Sequence, residues 1–367
     1  MLRSHILSTR KEFYIRMASM GKVMKIIGGW PSSPNANTFI DIFESNLAPH
    51  GCRFLAYDPF ALQCSFVKMD AIILHWPDAI FRNINSRALV VSRIIRVIAS
   101  LLVAKTRGTK IIWLVHNLEP HDLKLRFRNI WSFYEVLLGA LTDKWFTLSP
   151  STRASVESKK KCLSGKPSTS IFHPTYKIEN KISGSEARTK IGLSNNNKVI
   201  SHIGVMRWYK NPIALIECFK QVTDADARLI IVGACKDPRL RKAIVENSIS
   251  DSRIIVRLGR VDLHEYEIFL MASDLFVAPY TSALHSGSVI HALSCDTRVL
   301  AFFSEYTEDI SHVVGSNDVE LLHDELSVNS LWLATKNAFN TRDKPIRLST
   351  LDDEKQYKGL YDFIFSN

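Results

Sequence analysis

The stretch Ser201-His202-Ile203-Gly204-Val205-Met206-Arg207-Trp208-Tyr209-Lys210-Asn211-Pro212 decides how this chain is read. It ends an apolar, β-branched run, Lys198–Ile203, with a glycine. Two cations follow, and Pro212 then takes an early position in a helix read over 211–222. In a doubly wound sheet, ligands bind just outside the carboxyl ends of the strands. Arg207 offers a planar fork to phosphate oxygens and Lys210 a flexible point charge. A solvated basic loop is the plain alternative.

Toward the C-terminus the strand–helix alternation continues. Arg228–Val232 ends at Gly233, and Arg253–Leu258 and Asp274–Ala278 follow. Ser288–Ser294 then reads as a helix and Arg298–Phe302 as a strand. Ser286-Gly287-Ser288 opens that helix, and a helix start built of small residues exposes N–H groups able to cradle a diphosphate. Capping serines are common, so the tripeptide gains weight from its pairing with Arg207 and Lys210.

Toward the N-terminus, the polar stretch 173–185 reads as a linker. Before it lie Val23–Ile27, ending in Gly28-Gly29, then Arg53–Asp58, Asp70–His75, Lys110–His116 and Lys144–Leu148. Strands alternating with helices imply parallel, doubly wound sheets. The expected organisation is an N-terminal extension over 1–22, two Rossmann-like α/β domains over 23–178 and 179–345, and a C-terminal segment, 346–367. In that segment a helix carries Leu360, Phe363 and Ile364 on one side. In the first domain, polar groups follow three strands: Gly28-Gly29-Trp30-Pro31, His75-Trp76-Pro77-Asp78, and the run from His116 through Glu119 to Asp122. Trp30 and Trp76 are candidates to stack on a sugar face, or are buried tryptophans.

Composition narrows the function class. The 367 residues are 46% hydrophobic and 23% charged, which excludes a disordered chain and argues against a multi-span membrane protein. The net charge of +11 is lopsided. Residues 1–172 hold 24 Lys+Arg against 11 Asp+Glu, and the remainder 23 against 25. A basic half asks for phosphate, nucleic acid or anionic lipid. No nucleic-acid-binding motif stands out, and the aromatic residues fall in apolar runs instead of alternating with cations. Cys52, Cys64, Cys162, Cys218, Cys235 and Cys295 form no CxxC pair, so they read as reduced, buried thiols and no metal site is expected. The N-terminus lacks the apolar core of a secretory signal, and it reads as an extension that is disordered or touches a membrane, or as an upstream start before Met17, Met20 or Met24. The longest apolar run, 88–104, is interrupted by Arg93 and Arg96 and does not span a bilayer. As a helix it would turn Leu89, Ile94, Val97, Ile98, Leu101 and Leu102 to a core, either as an ordinary sheet-covering helix or on a membrane surface.

The order IGVMRWYKNP, LIIVG, RIIVRLGRV, MASDLFVAPY, HSGSVIHALSCDTRVLA resembles the donor half of the two-domain glycosyltransferase fold GT-B. It is most similar to glycosyltransferase family 4 and to bacterial exopolysaccharide and capsule glycosyltransferases. The resemblance covers the second domain well and the first more loosely. It implies two domains facing a cleft, the first for the acceptor and the second for a nucleotide-sugar donor. Arg207 and Lys210, beyond Gly204, would hold the donor diphosphate, with Ser286, Gly287 and Ser288 closing on it. The loop after Gly233 and the segment 257–261 would frame the nucleoside, and His116 would lie near the donor sugar. Neither a metal nor a cofactor is implied, only the nucleotide-sugar co-substrate.

The family's two glutamates, eight positions apart, correspond here to Ala283 and His291. Neither is acidic, and His291 is either a substitute hydrogen-bond partner or a packed helix residue. Transfer with inversion needs a general base, for which Asp78, Glu119 and Asp122 are the candidates. Gly28, Gly29, Trp30 and His75 would line the acceptor side. The function implied is metal-independent transfer of a hexose, mannose or glucose, from a UDP- or GDP-sugar to a polyprenyl-diphosphate-linked saccharide. That chemistry belongs to surface polysaccharide synthesis, at the cytoplasmic face of an anionic membrane. A nucleotide-sugar epimerase of the same fold is the alternative.

Overall fold

The apolar runs become the strands of two parallel six-stranded sheets. The computed structural model describes residues 24–31, 38–61, 66–82, 84–120, 123–351 and 354–366. The extension over 1–22, Cys64 and Asp122 lie outside these residues. The chain divides into two units, Met1–Phe172 with Asp353–Asn367, and His173–Asp352.

In the first unit the strands are β1 (Lys25–Trp30), β2 (Cys52–Ala56), β3 (Ala71–Leu74), β4 (Lys110–Leu114), β5 (Lys144–Thr147) and β6 (Ser168–Ser170). Their order is β2-β1-β3-β4-β5-β6. The chain leaves β1 for one edge and returns to its other side at β3, so the winding reverses between β1 and β3. Helices α1 (Thr38–Leu47), α2 (Arg87–Thr106), α3 (Arg128–Leu141) and α4 (Thr152–Lys159) belong to this unit. β3 is buried along its whole length, as expected for a strand covered on both faces.

The C-terminal helix, Glu354–Phe365, also belongs here, although its sequence set it apart. Tyr357, Leu360 and Ile364 join the core of β1, α1 and β4. Lys144 Nζ donates to the carbonyls of Phe363 (2.7 Å) and Ser366 (2.8 Å), and Lys110 Nζ to that of Ser366 (2.6 Å). Cations at a helix's carbonyl end complement its dipole. Lys25, Lys105 and Lys160 pair with Asp70, Asp143 and Glu135. Part of the basic excess is therefore structural.

α2 corrects one expectation. Its buried stripe is Val90, Ile94, Val97, Leu101 and Ala104, whereas Leu89 and Leu102 are exposed. The helix is apolar round most of its circumference, and only the stripe at helical spacing meets the sheet.

The second unit begins with α5 (Gly184–Lys190). Then follow β7 (Lys198–Ile203), α6 (Pro212–Lys220), β8 (Ala227–Val232), α7 (Pro238–Ser248), β9 (Ile254–Arg257) and α8 (Leu263–Met271). The chain continues with β10 (Leu275–Ala278), α9 (Gly287–Ser294), β11 (Arg298–Phe302), α10 (Glu305–Val314), β12 (Val319–Leu322) and α11 (Val328–Thr341). The C-terminal helix is thus α12. The order β12-β11-β10-β7-β8-β9 reverses between β7 and β10.

One device recurs in both units. The carboxylates of Asp70, Asp143 and Asp274 stand just before β3, β5 and β10. Each accepts a backbone N–H at the start of a neighbouring strand, from Ile26, Ile111 and Val199 respectively. Asp274 is buried and also pairs with Arg188 at 2.7 Å. Removing one partner of such a pair costs about 3–5 kcal/mol.

Candidate functional site

Both switch points carry the residues singled out in the sequence. In the second unit, β7 ends at Gly204 and β8 at Gly233, both with positive φ (132° and 140°). A Cβ on Gly233 would fall 1.9 Å from the Gly204 carbonyl oxygen, so glycine is required where the two strand ends touch. The loop carrying Arg207 and Lys210 is pinned on both sides. Met206 N–H donates to the Ala234 carbonyl (2.8 Å), Trp208 Nε1–H to Asp237 (2.8 Å), and Thr281 N–H to the Tyr209 carbonyl (2.8 Å).

That loop delivers Lys210 to the start of α9. A Cβ on Gly204 would lie 3.2 Å from Lys210 Nζ and 3.3 Å from Ser288 Oγ, so cation and hydroxyl converge on one point. Lys210 is buried, its ammonium 5.0 Å from the centre of the Tyr280 ring, and no carboxylate pairs with it among the described residues. Burial, with Arg207 as a second cause, pulls its pKa down to about 8. The Ser286 side chain caps none of the N–H groups of α9, and uncapped N–H groups at a helix start can bind an anion. Tyr280 and Tyr266 stand beside the Ser288 hydroxyl, and burial holds both phenols protonated.

Gly287 and His291 face another side of α9. A Cβ on Gly287 would come within 2.8 Å of Tyr176 Oη and 3.4 Å of His173 Nε2, so its missing side chain admits the segment after β6. His291 is buried, stacked on Tyr176 at 4.0 Å, and its Nε2–H donates to Glu267 at 3.3 Å. Packed residues of its own unit therefore surround it. Arg257 is ion-paired with Glu265.

At the first unit's switch point the expected turn is absent. Gly28, Gly29 and Trp30 lie inside β1, paired with β2 and β3, and do not follow it as a loop. The space a Cβ on Gly28 would need is held by Met69, Tyr57 and Ile72, which is a packing reason for that glycine. Trp30 is buried, and its carbonyl accepts from His75 N–H (2.7 Å). His75 and His116, which follow β3 and β4, are both buried, with His75 Nδ1 3.4 Å from His116 Nε2. One donates and the other accepts, so their tautomers are tied. Trp76 stacks on the His116 ring at 4.2 Å and Phe39 meets it edge-on at 5.0 Å. Burial drops His75 to about 3, so it is neutral at physiological pH. Asp78 lies in a short 3-10 turn, 3.4 Å from Arg82, and Glu119 is exposed in the loop after β4.

Comparison with known proteins bears on the fold and the second unit. Residues 197–331 match the family model of glycosyl transferases group 1. Over 304 residues the chain is 27% identical to a GDP-mannose:glycolipid 4-beta-D-mannosyltransferase of Xanthomonas campestris pv. campestris, covering 80% of this chain and 78% of the relative. Sucrose-phosphate synthase of Thermosynechococcus elongatus superposes with a TM-score of 0.63 at 14% identity, over 94% of this chain and 99% of that one. Anabaena HepE in complex with UDP-glucose gives 0.62 at 13% identity, over 92% and 100%. Residues 197–331 thus resemble group 1 glycosyl transferases, and the chain has the two-sheet fold of these GT-B neighbours.

The sequence singled out Gly204, Arg207, Lys210, Gly233, Ser286 and Ser288, and the structure gathers them around the carboxyl ends of β7 and β8 and the start of α9. It missed Tyr266, Tyr280, Tyr176, His173 and Glu267, which arrive from three separate segments. The run DLFVAPY held a signal for Tyr280, a phenol set directly after a buried strand. Tyr176 and His173 had none, because they sat in a polar stretch read as linker.

Proposed function

We propose that this glycosyltransferase moves a mannosyl residue from GDP-mannose to a lipid-linked saccharide, with inversion at the sugar carbon and without a metal. The observation that carries the reading is Lys210, a buried cation with no carboxylate partner, poised at the uncapped start of α9. A diphosphate there would supply the missing negative charge, and Lys210, Arg207 and the helix N–H groups would stabilise it as it leaves. Both the donor and the glycolipid acceptor are suggested by the name of the Xanthomonas relative. Ala283 and His291 provide no carboxylate beside the sugar, which favours direct displacement by a deprotonated acceptor hydroxyl.

In this reading the first unit receives the acceptor. His116, held by His75 and Trp76, presents an aromatic surface suited to a sugar. The general base is one of Asp78, Glu119 and Asp122, of which Asp78 follows β3 and Glu119 follows β4. Because the acceptor is a lipid, the enzyme would work at the inner face of a membrane.

A thermal-shift series with GDP-mannose, GDP and UDP tests the donor. A ligand at about 100 times its dissociation constant stabilises by about 2.7 kcal/mol, a clear rise in Tm. A larger rise with GDP than with UDP is expected. A rise with UDP alone would replace the donor, and none with either would remove the diphosphate site.

A further inference from the structure

The transferase leaves one apolar surface unused by its chemistry. Helices α2 and α3 pack side by side on the first unit, and between them runs a groove of about 570 Å³ whose wall is almost wholly carbon. Val91, Ile95 and Leu102 of α2 face Ile130, Phe133 and Leu137 of α3 across it. Phe133 is 64% exposed and Ile95 62%, and Val136 beside them is 59% exposed. A contiguous apolar patch on this scale marks an interaction surface.

The charges on the same two helices select the occupant. α2 carries Arg87, Arg93, Arg96 and Lys105 and no acid, while α3 carries Arg128 and one acid, Glu135, already paired with Lys160. Arg87 and Arg96 are exposed. No helix among the described residues is long and apolar enough to cross a membrane. Two copies of this face would oppose like charges, whereas anionic headgroups would meet the arginines and acyl chains the groove.

We propose that the α2–α3 groove is the surface by which the enzyme lies on an anionic bilayer, with Ile95 and Phe133 entering the acyl boundary. The inference shares the lipid acceptor with the reading above but stands on the groove and its charges alone. Vesicle binding can therefore fail while transfer holds, or the reverse.

The full chain is floated with phosphatidylglycerol–phosphatidylcholine vesicles and with pure phosphatidylcholine vesicles, as wild type, Ile95→Asp with Phe133→Asp, and Arg87→Glu with Arg96→Glu. Nucleotide thermal shift on each variant reports that the fold survives. Wild type should float with the anionic vesicles, and the aspartate pair should lower that partition by roughly tenfold or more. The glutamate pair should abolish the preference for anionic lipid, and added salt should weaken wild type. Unchanged flotation of the aspartate pair overturns the proposal. Equal binding of wild type to both vesicle types also overturns it. So does a wild-type dimer that those aspartates convert to monomer, since the groove would then be a self-association face.

Discussion

The two sheets reverse their winding in the same way, between β1 and β3 in one unit and between β7 and β10 in the other, yet the chemistry at the two points is opposite. The second unit brings a buried, uncompensated ammonium, several hydroxyls and an uncapped helix start to one spot. The first brings two buried imidazoles, two tryptophans and a phenylalanine. Net charge gives the reverse impression, since the cation-rich half is the one whose switch point, among the described residues, holds no lysine or arginine. Much of that half's lysine is bound up in internal pairs and in anchoring α12, and its exposed arginines on α2 flank an apolar groove. Charge excess thus marks the proposed docking surface, and burial of a single lysine marks the proposed anion site.

The largest effect that would break this contrast comes from Arg207→Ala with Lys210→Ala. Two charge-assisted contacts at about 1.5–3 kcal/mol each predict a loss of nucleotide-sugar affinity of about 10²–10⁴-fold, read by calorimetry, with Tm of the free protein not lowered. Conservative substitution at the candidate bases sharpens the other side. Among Asp78→Asn, Glu119→Gln and Asp122→Asn, the true base should lose about 10²–10⁴-fold in kcat with donor affinity kept.

A matched pair of glycine substitutions compares the two points as structures. Gly233→Ala should cost about 3 kcal/mol or more, because φ is positive and the Cβ meets the Gly204 carbonyl. Gly29→Ala, inside β1 with its nearest neighbour 3.6 Å from the new Cβ, should change stability by less than about 1 kcal/mol. Denaturant unfolding of both measures the difference.

Alkaline pH separates the units more gently. Lys210 is lowered to about 8 from an ordinary 10.5, so the unfolded chain binds the extra proton between those values. This group therefore makes the unliganded protein more stable as pH rises through that window. Diphosphate needs the charged form, so nucleotide affinity should fall above about pH 8, by no more than about tenfold per pH unit. Lys210→Arg should flatten the profile. The smallest expected effect is none: chelation with EDTA should leave transfer unchanged if cations and helix N–H groups alone hold the diphosphate.

What the sequence made legible was local. A β-branched run, a glycine, two cations and a proline within one stretch specify a strand, a loop and a helix start. The SGS tripeptide does the same for α9. Residues that complete the site by packing from elsewhere, Tyr176 over Gly287 and Glu267 against His291, leave no periodic trace. The end of β1 was misplaced because Gly28-Gly29 resembles a turn, whereas the sheet uses glycine there to admit Met69. Leu89 and Leu102 were assigned to the core because α2 is apolar on more faces than the sheet can cover, and that surplus became the groove. The short strands β6 and β12, STS and VELL, are too polar or too brief to stand out from loops.

The central claim is that the donor diphosphate belongs to the second unit, at Lys210 and the start of α9. Titrating GDP into wild type, Arg207→Ala with Lys210→Ala, and His75→Ala with His116→Ala tests it most directly. The account predicts that the second-unit variant gives no binding heat while the first-unit variant binds as wild type. Undiminished binding by the Arg207/Lys210 variant, with loss in the histidine variant, would contradict it.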